Sequence, residues 1–257
     1  MSQVREILGY PMLAATMSEV VDLCEGAIVE SQPIQIGVMN AAKVVNAARD
    51  KGLHEAILSC DVILADGQSV VWASRMLGQP LPERVAGIDL FYSLLELADE
   101  RHLSVYLLGA TPEVVEQVAD VVGAKYPGAR LVGYRDGYFD DAESVAQEIA
   151  SSHPDMLFLG MTSPKKEMFL ERYQSLMNVP VTHGVGGSFD ILAGVTKRAP
   201  ESWQKLGMKW AYRLLQEPGR MWKRYLRTNF LFSVMIAREL VTRRLTPVRA
   251  IPSSEVA

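Results

Sequence analysis

Acidic, basic and glycine residues follow several short apolar segments of this chain, where a parallel sheet would bind a ligand. Three early segments run into Asn40, into Asp66-Gly67-Gln68 and into Leu108-Gly109. Two later ones are followed by Lys165-Lys166-Glu167 and by the stretch from Gly184 to Asp190. In open α/β sheets, ligands bind beyond the carboxyl ends of the strands. The pattern therefore predicts a binding or catalytic site made from these positions.

Asp66 and the Lys165-Lys166 pair each allow two interpretations. Asp66 follows an apolar segment and precedes a glycine, so it either caps the next helix or serves as a catalytic carboxylate. The two lysines fall in the first turn of a predicted helix, where a positive charge opposes the helix dipole. They either serve an anionic ligand or belong to a solvated surface.

Glycines 109, 184, 186 and 187 would let backbone N–H groups approach a phosphate, or they serve tight turns. Neither a P-loop nor a complete Gly-x-Gly-x-x-Gly pattern accompanies them. The four histidines are scattered, and Cys24 and Cys60 lack the spacing of metal ligands. No Asp-x-Asp or Gly-x-Ser-x-Gly motif occurs, and the sequence predicts no metal site.

Short β-branched segments alternate with helical patterns up to residue 196. The predicted strands are Ile34–Met39, Val62–Ala65, Val105–Gly109, Arg130–Tyr134, Met156–Gly160 and Val179–His183. The predicted helices include Ala41–Lys51, Ile88–Arg101, Pro112–Tyr126, Asp141–Ser151 and Pro164–Met177. This alternation predicts an α/β fold with a Rossmann-like, mostly parallel sheet flanked by helices.

The last quarter of the chain differs from the rest in pattern and charge. Glu201–Gln216 and Arg220–Leu245 both read as helix, separated by the breaker Glu217-Pro218-Gly219. Residues 1–196 contain 13 basic and 26 acidic side chains, whereas residues 197–257 contain 13 basic and 4 acidic ones. We predict an α/β catalytic domain over 1–196, an all-helical basic appendage over 197–246 and a disordered tail over 247–257.

The composition of the whole chain is that of a globular protein. Its 257 residues are 49% hydrophobic and 22% charged, with a net charge of −4. The apolar run from Phe230 to Ala237 is far shorter than the roughly 20 residues that span a bilayer, and no secretory signal is visible. We therefore expect a cytoplasmic protein. Its basic end would either meet an anionic surface or form a solvated helical face.

Seven motifs occur in an order that resembles one enzyme family, the WecG/TagA/CpsF glycosyltransferases (glycosyltransferase family 26), over residues 5–230. They are Asp66-Gly67, Arg84–Leu90, Leu107–Gly109, Pro164–Glu167, Gly184–Asp190, Lys197–Pro200 and Tyr212–Pro218. The resemblance implies an inverting, metal-independent transferase without a cofactor. Its donor would be a UDP-sugar, typically of N-acetylmannosamine or its uronic acid, or another hexose. Its acceptor would be a polyprenyl-diphosphate-linked sugar, in cell-surface polysaccharide or exopolysaccharide synthesis.

The resemblance also implies roles for individual residues. Asp66 takes the position of the general base that removes the proton of the acceptor hydroxyl. Cations and backbone N–H groups would stabilise the departing UDP. The implied substrate-binding residues are Asn40, Gln68, Arg84, Gly109, Lys165, Lys166, Glu167, Gly186, Asp190 and Arg198.

The chain departs from the family pattern at two positions. Val38 stands where the family often has threonine, and Lys166 stands where it commonly has glutamine. One change removes a hydroxyl and the other adds a charge beside the donor site. Both bear on the identity of the transferred sugar, which the sequence leaves open.

The basic appendage gains a role if the acceptor is a lipid. Five cations, Lys209, Arg213, Arg220, Arg224 and Arg227, alternate with aromatic residues, as in helices that lie on anionic membranes. We therefore expect peripheral association with the inner face of the plasma membrane, with one arginine reaching the lipid diphosphate. The alternatives are a non-catalytic UDP-sugar-binding regulatory module that docks on membranes and, with little support, an RNA-binding protein. A homo-oligomer is also possible.

Overall fold

The computed structural model describes residues 3–196 and 218–245, together with Pro200 and Trp203. Its strands are β1 (Gln3–Ile7), β2 (Tyr10–Ala14), β3 (Ile34–Met39), β4 (Val62–Ala65), β5 (Ser104–Gly109), β6 (Arg130–Arg135), β7 (Met156–Gly160) and β8 (Val181–Gly184). The helices of the body are α1 (Met17–Val29), α2 (Ala41–Ala47), α3 (Lys51–Leu58), α4 (Gln68–Met76), α5 (Gly87–Arg101), α6 (Pro112–Lys125), α7 (Ala142–Ser152), α8 (Lys165–Met177) and α9 (Ser188–Leu192). Helix α10 (Pro218–Leu245) follows them.

Six of the strands form a parallel sheet in the order β4-β3-β8-β7-β5-β6. Successive side chains of a strand point to opposite faces. Val105 and Leu107 accordingly pack with the core that α1, α5 and α6 cover, whereas Tyr106 and Leu108 pack with α7 and α8. The predicted α/β fold with a mostly parallel sheet flanked by helices is confirmed.

The predicted helix Ala41–Lys51 is wrong, because two helices occupy this region. Helix α2 ends at Ala47, and α3 begins after Asp50, whose backbone is extended and whose Oδ1 accepts from the N–H of Leu53 at 3.0 Å. The aspartate satisfies a free N–H at the start of the second helix. It therefore starts a second helix, three residues after α2 ends, within a stretch that has continuous helical periodicity.

Strands β1 and β2 form an antiparallel hairpin that the sequence pattern did not predict. Leu8 and Gly9 make its turn with φ of 52° and 81°. A turn of this kind favours Asn-Gly or Asp-Gly, and leucine carries no such signal. Ile7, Tyr10 and Met12 of the hairpin are buried in the core beside β4.

Helix α10 begins at Pro218, so the predicted breaker coincides with the start of a helix, where proline is well tolerated. Phe232 and Ile236 are buried in the core that includes residues of α2. No helix in the described ranges is long and apolar enough to cross a membrane. The predicted helix Glu201–Gln216, apart from Trp203, and the predicted tail 247–257 lie outside the described residues.

A candidate active site at the carboxyl ends of the strands

Asp66 lies immediately after β4 and is held by two donors from other parts of the sheet edge. Its Oδ1 accepts from the backbone N–H of Gly87, the first residue of α5, at 3.0 Å. Its Oδ2 accepts from Nδ2 of Asn40 at 3.4 Å. These two contacts fix the orientation of the carboxylate at the carboxyl edge of the sheet, where a substrate would meet it.

Asp66 is not the cap of the helix that follows it. Gly67 occupies the N-cap position of α4, and no side chain accepts a hydrogen bond there. The structure therefore rules out one of the two interpretations of Asp66, because its carboxylate reaches across to α5 instead. Asn40 does cap its own helix, since its Oδ1 accepts from the N–H of Lys43 at 3.0 Å. This cap leaves the amide nitrogen of Asn40 directed at Asp66.

Gly87 explains why the Arg84–Leu90 motif belongs to the site. A Cβ at this position would lie 3.5 Å from the methyl groups of Val38 and 3.6 Å from the ring of His183. The carbonyl of Gly87 accepts from Nε2 of His183 at 2.9 Å, and burial lowers the pKa of this histidine to about 4. A neutral, buried imidazole thus anchors the turn that presents the Gly87 N–H to Asp66.

Lys166 and Glu167, predicted as substrate-binding residues, are buried together with a residue that the sequence did not suggest, Lys43. The ammonium of Lys43 lies 2.9 Å from Oε1 of Glu167, and that of Lys166 lies 3.8 Å from the same oxygen. Nζ of Lys166 also donates to the carbonyl of Gly184 at 3.4 Å. The solvated-surface interpretation of Lys166 is therefore wrong.

The charges of this cluster depend on one another. Burial, followed by the nearby ammonium of Lys43, lowers the pKa of Lys166 to about 8. Glu167 and Asp66 act in the opposite direction and favour the charged ammonium. Although burial disfavours its charged form, the two ammonium groups hold the pKa of Glu167 below its usual value. The ionisation of Lys166 is thus coupled to the carboxylates of Glu167 and Asp66.

Lys165 is exposed, but its ammonium is engaged within the protein. It donates to the carbonyl of Gly137 at 2.6 Å and lies 4.6 Å from the centre of the Phe139 ring. Both partners belong to the loop between β6 and α7. The N–H of Gly137 in turn donates to the carbonyl of Ala110, just beyond β5. Lys165 therefore ties this loop to the start of α8.

The remaining predicted site residues are spread along the same edge of the sheet. Arg84 is partly buried, and its Nη2 lies 3.4 Å from Oδ2 of Asp89. Gln68 is the first residue of α4, and Asp190 lies in the short α9 after β8; both are half-buried. The N–H of Gly186 donates to the carbonyl of Leu159 at 3.0 Å, so this N–H is engaged within the protein.

Several predicted cations cannot be placed. Arg198, Lys209 and Arg213 lie outside the described residues, as do the side chains of Arg220 and Arg224. Arg227 is exposed on α10 and lines a groove with Trp222, Leu226 and Phe230. Among the described residues at this edge, contacts join Asn40, Asp66, Gly87, Lys43, Lys166 and Glu167 into one cluster.

A model of the WecG/TagA/CpsF family of glycosyl transferases matches residues 5–246 of this chain. The chain belongs to this family. A relative from Bacillus spizizenii is 43% identical over 174 residues, which are 67% of each chain. One from Bacillus subtilis is 34% identical over 87% of this chain and 88% of its own. One from Staphylococcus aureus is 33% identical over 93% and 94%.

All three relatives carry the name N-acetylglucosaminyldiphosphoundecaprenol N-acetyl-β-D-mannosaminyltransferase. The resemblance drawn from seven short motifs is therefore confirmed, and this member of the WecG/TagA/CpsF family is a glycosyltransferase. Two of the seven motifs, Asp66-Gly67 and Arg84–Leu90, meet at one contact between Asp66 and Gly87.

The two departures from the family pattern have different structural settings. Val38 is buried in the core that α5 covers, and its methyl groups face Gly87. Lys166 carries a charge into a buried position beside Glu167. Of the two, only Lys166 changes the electrostatics of the site, and it is the stronger candidate for an effect on the substrate.

Proposed function

We propose that this glycosyltransferase moves an N-acetylmannosamine-type sugar, or a related hexose, from a UDP-sugar to a polyprenyl-diphosphate-linked sugar, with inversion and without a metal. One observation carries the proposal. The carboxylate of Asp66 is fixed by the N–H of Gly87 and the amide of Asn40, and the buried ammonium of Lys166 donates to the carbonyl of Gly184 at the end of β8. A carboxylate and an ammonium at the same edge of the sheet support the proposal, because transfer from a diphosphate needs a base and a positive charge.

In the proposed step, Asp66 accepts the proton of the acceptor hydroxyl while the oxygen of this hydroxyl forms a bond to the anomeric carbon of the donor. The bond from this carbon to the UDP oxygen breaks, and its electron pair leaves with UDP. One displacement from the face opposite UDP inverts the anomeric configuration. A single base is sufficient for such a reaction, and Asp66 fits the role because its carboxylate is held from two sides.

The departing diphosphate gains negative charge, and fixed cations lower the energy of that state. Lys166 suits this role because its ammonium is buried, and a charge acts more strongly in the protein interior than in water. Arg84 offers a second, partly buried cation. With such cations in place, the chemistry needs no metal to neutralise UDP.

The acceptor is proposed from the relatives, whose names specify N-acetylglucosaminyldiphosphoundecaprenol. A lipid of this kind stays in a membrane, so the enzyme must work at its surface. On α10, Trp222, Leu226 and Phe230 are half or more exposed, and Arg227 lies among them. We propose that this face docks peripherally on the anionic inner face of the plasma membrane, supported by the basic charge of residues 197–257.

We expect the double variant Leu226→Ser, Phe230→Ser to bind vesicles containing phosphatidylglycerol at least about tenfold more weakly than the unmodified protein. Burying one large apolar side chain contributes about 1.5–3 kcal/mol, and tenfold corresponds to about 1.4 kcal/mol. Sedimentation with vesicles measures the binding. Val241→Ser is the matched control, because Val241 is 57% exposed on the same helix outside this groove. Equal binding by all three proteins would refute docking by this face.

The proposed function is tested by release of UDP in the presence of a panel of UDP-sugars and a lipid-diphosphate N-acetylglucosamine acceptor. Turnover with UDP-N-acetylmannosamine, unchanged by a metal chelator, is the expected result. Turnover with another UDP-hexose alone would correct the sugar and leave the reaction class standing. Binding of UDP without transfer to a series of lipid acceptors would favour the regulatory module instead.

A further inference from the structure

Lys43 has no role in the chemistry described so far, although its position is unusual for a lysine. It lies in the first turn of α2 and is only 9% exposed. Lysine is rarely buried to this extent unless it is paired. Its partner is Glu167 of α8, which is 5% exposed and whose Oε1 is 2.9 Å from the Lys43 ammonium.

The contacts continue from Glu167 into the candidate site. The same Oε1 lies 3.8 Å from the ammonium of Lys166, which donates to the carbonyl of Gly184 at 3.4 Å. A Cβ on Gly184 would come within 3.0 Å of the Lys166 side chain, and one on Gly186 within 3.3 Å of its Nζ. Lys166 is therefore packed over the end of β8, where it donates to the Gly184 carbonyl and the Glu167 carboxylate attracts it across 3.8 Å.

We propose that Lys43 is a positioning residue of the transferase. Its ammonium fixes the carboxylate of Glu167, and Glu167 holds the Lys166 ammonium at the carboxyl end of β8, on the side of Asp66. The inference rests on the proposed function, in which Lys166 faces the departing UDP. Lys43 itself touches neither substrate, and it acts through the other two side chains.

Several elements contribute charged or titratable groups that surround Lys166. Asp66 follows β4, and Cys60 precedes the same strand. Lys43 lies on α2, His183 lies on β8, and Glu167 lies next to Lys166 on α8. Burial raises the pKa of Cys60 to about 11 and lowers that of His183 to about 4, so both are neutral near pH 8. A fall in activity near pH 8 is therefore assigned to Lys166 and not to Cys60 or His183.

Two substitutions should therefore act in opposite directions. Glu167→Gln removes a negative charge that favours the Lys166 ammonium, so the pKa of Lys166 falls further. Lys43→Met removes a positive charge that opposes it, so the pKa of Lys166 rises. Removal of either charge shifts the pKa of Lys166 whatever else the residue does, so the positioning role of Lys43 is tested by the fall in kcat and its rescue by Lys43→Arg.

The experiment measures kcat/KM for transfer against pH in the full-length protein, over the neutral and alkaline range. For the unmodified enzyme we expect activity to fall as Lys166 loses its proton near pH 8. In Glu167→Gln the fall moves to lower pH. In Lys43→Met it moves to higher pH, and kcat drops roughly 10- to 100-fold because Lys166 is no longer held in place. Lys43→Arg, which keeps the ion pair, should restore most of kcat.

A second measurement removes the dependence on turnover. NMR follows the side-chain ammonium of Lys166 without substrate, with Lys166→Gln for assignment, and should show the same opposite shifts. Lys51→Met is the control, because Lys51 forms a surface pair with Glu55 and is 88% exposed. Unshifted or parallel titrations, or an unchanged kcat in a folded Lys43→Met, would overturn the role of Lys43. Absence of transfer by the unmodified protein would instead refute the proposed function.

Discussion

Replacing Asp66 with asparagine should reduce kcat/KM for transfer by roughly 10²–10⁴-fold while UDP still binds, because a general base contributes about this factor. Asparagine has the same shape, and its Oδ1 can still accept from the N–H of Gly87, so the turn before α5 remains supported. What is lost is the site for the proton of the acceptor hydroxyl. UDP release measures turnover, and calorimetry measures UDP binding.

Asp61→Asn provides the matched control for this prediction. Asp61 lies just before β4, whereas Asp66 lies just after it, so the same change is made at opposite ends of one strand. The carboxylate of Asp61 accepts from the N–H of Gln35 at 2.8 Å, far from the carboxyl edge of the sheet. This variant should keep its activity. Equal turnover by Asp66→Asn and the unmodified protein would leave the enzyme in place and remove Asp66 from the role of base.

The change at Asp66 should also alter the pKa of Lys166. The Asp66 carboxylate favours the charged form of this ammonium, so its removal lowers the pKa of Lys166 further. The remaining activity of Asp66→Asn would then fall at a lower pH than that of the unmodified enzyme. The base and the cation that faces the leaving group are thus coupled. A loss of activity larger than removal of the base explains would include the effect of the lower pKa of Lys166.

Much of the sheet and the edge that bears the site could be predicted from the sequence. Strands β3, β4 and β7 have the predicted bounds, because short apolar segments between turn residues are strong local signals. Asp66 and Asn40 are predicted as site residues for the same reason, since each directly follows a buried strand. The sequence signal for Asp66 lies in its immediate neighbours, whereas its contact with Gly87 joins residues that are 21 positions apart in the chain.

Lys43 was missed because nothing in its neighbourhood marks it as buried. Lysine in a helix is ordinarily exposed, and the partner of Lys43 lies on α8, far along the chain. The two residues meet because β3 and β7 lie close together in the sheet, on either side of β8, so the helices that follow these strands can pack side by side. Strand order of this kind depends on how helices pack over the sheet, and local periodicity does not encode it.

Gly109 was predicted to let the backbone approach the donor, and the structure gives it a second reason to be glycine. It ends β5 with φ of 132°, a conformation that side chains rarely adopt. A Cβ there would lie 2.6 Å from the carbonyl carbon of Gly160 and 2.8 Å from its Cα. Gly160 is confined in turn, because its own Cβ would meet the ring of Phe189 at 2.3 Å. Neither strand can therefore move aside freely.

Gly109→Ala should accordingly lower the free energy of unfolding by about 2–5 kcal/mol, from strained backbone and from the clash between β5 and β7. Gly123→Ala is the control: this exposed glycine lies in α6 with no atom within 4 Å of its Cβ position, so alanine should stabilise by about 0.5–1 kcal/mol. Urea unfolding without any ligand measures both. If close approach to the donor were the sole reason for Gly109, its variant would unfold like the unmodified protein. A lower urea midpoint for Gly109→Ala, without such a decrease for Gly123→Ala, would show that this glycine is needed for β5 and β7 to pack together. The ends of these strands belong to the edge that forms the site.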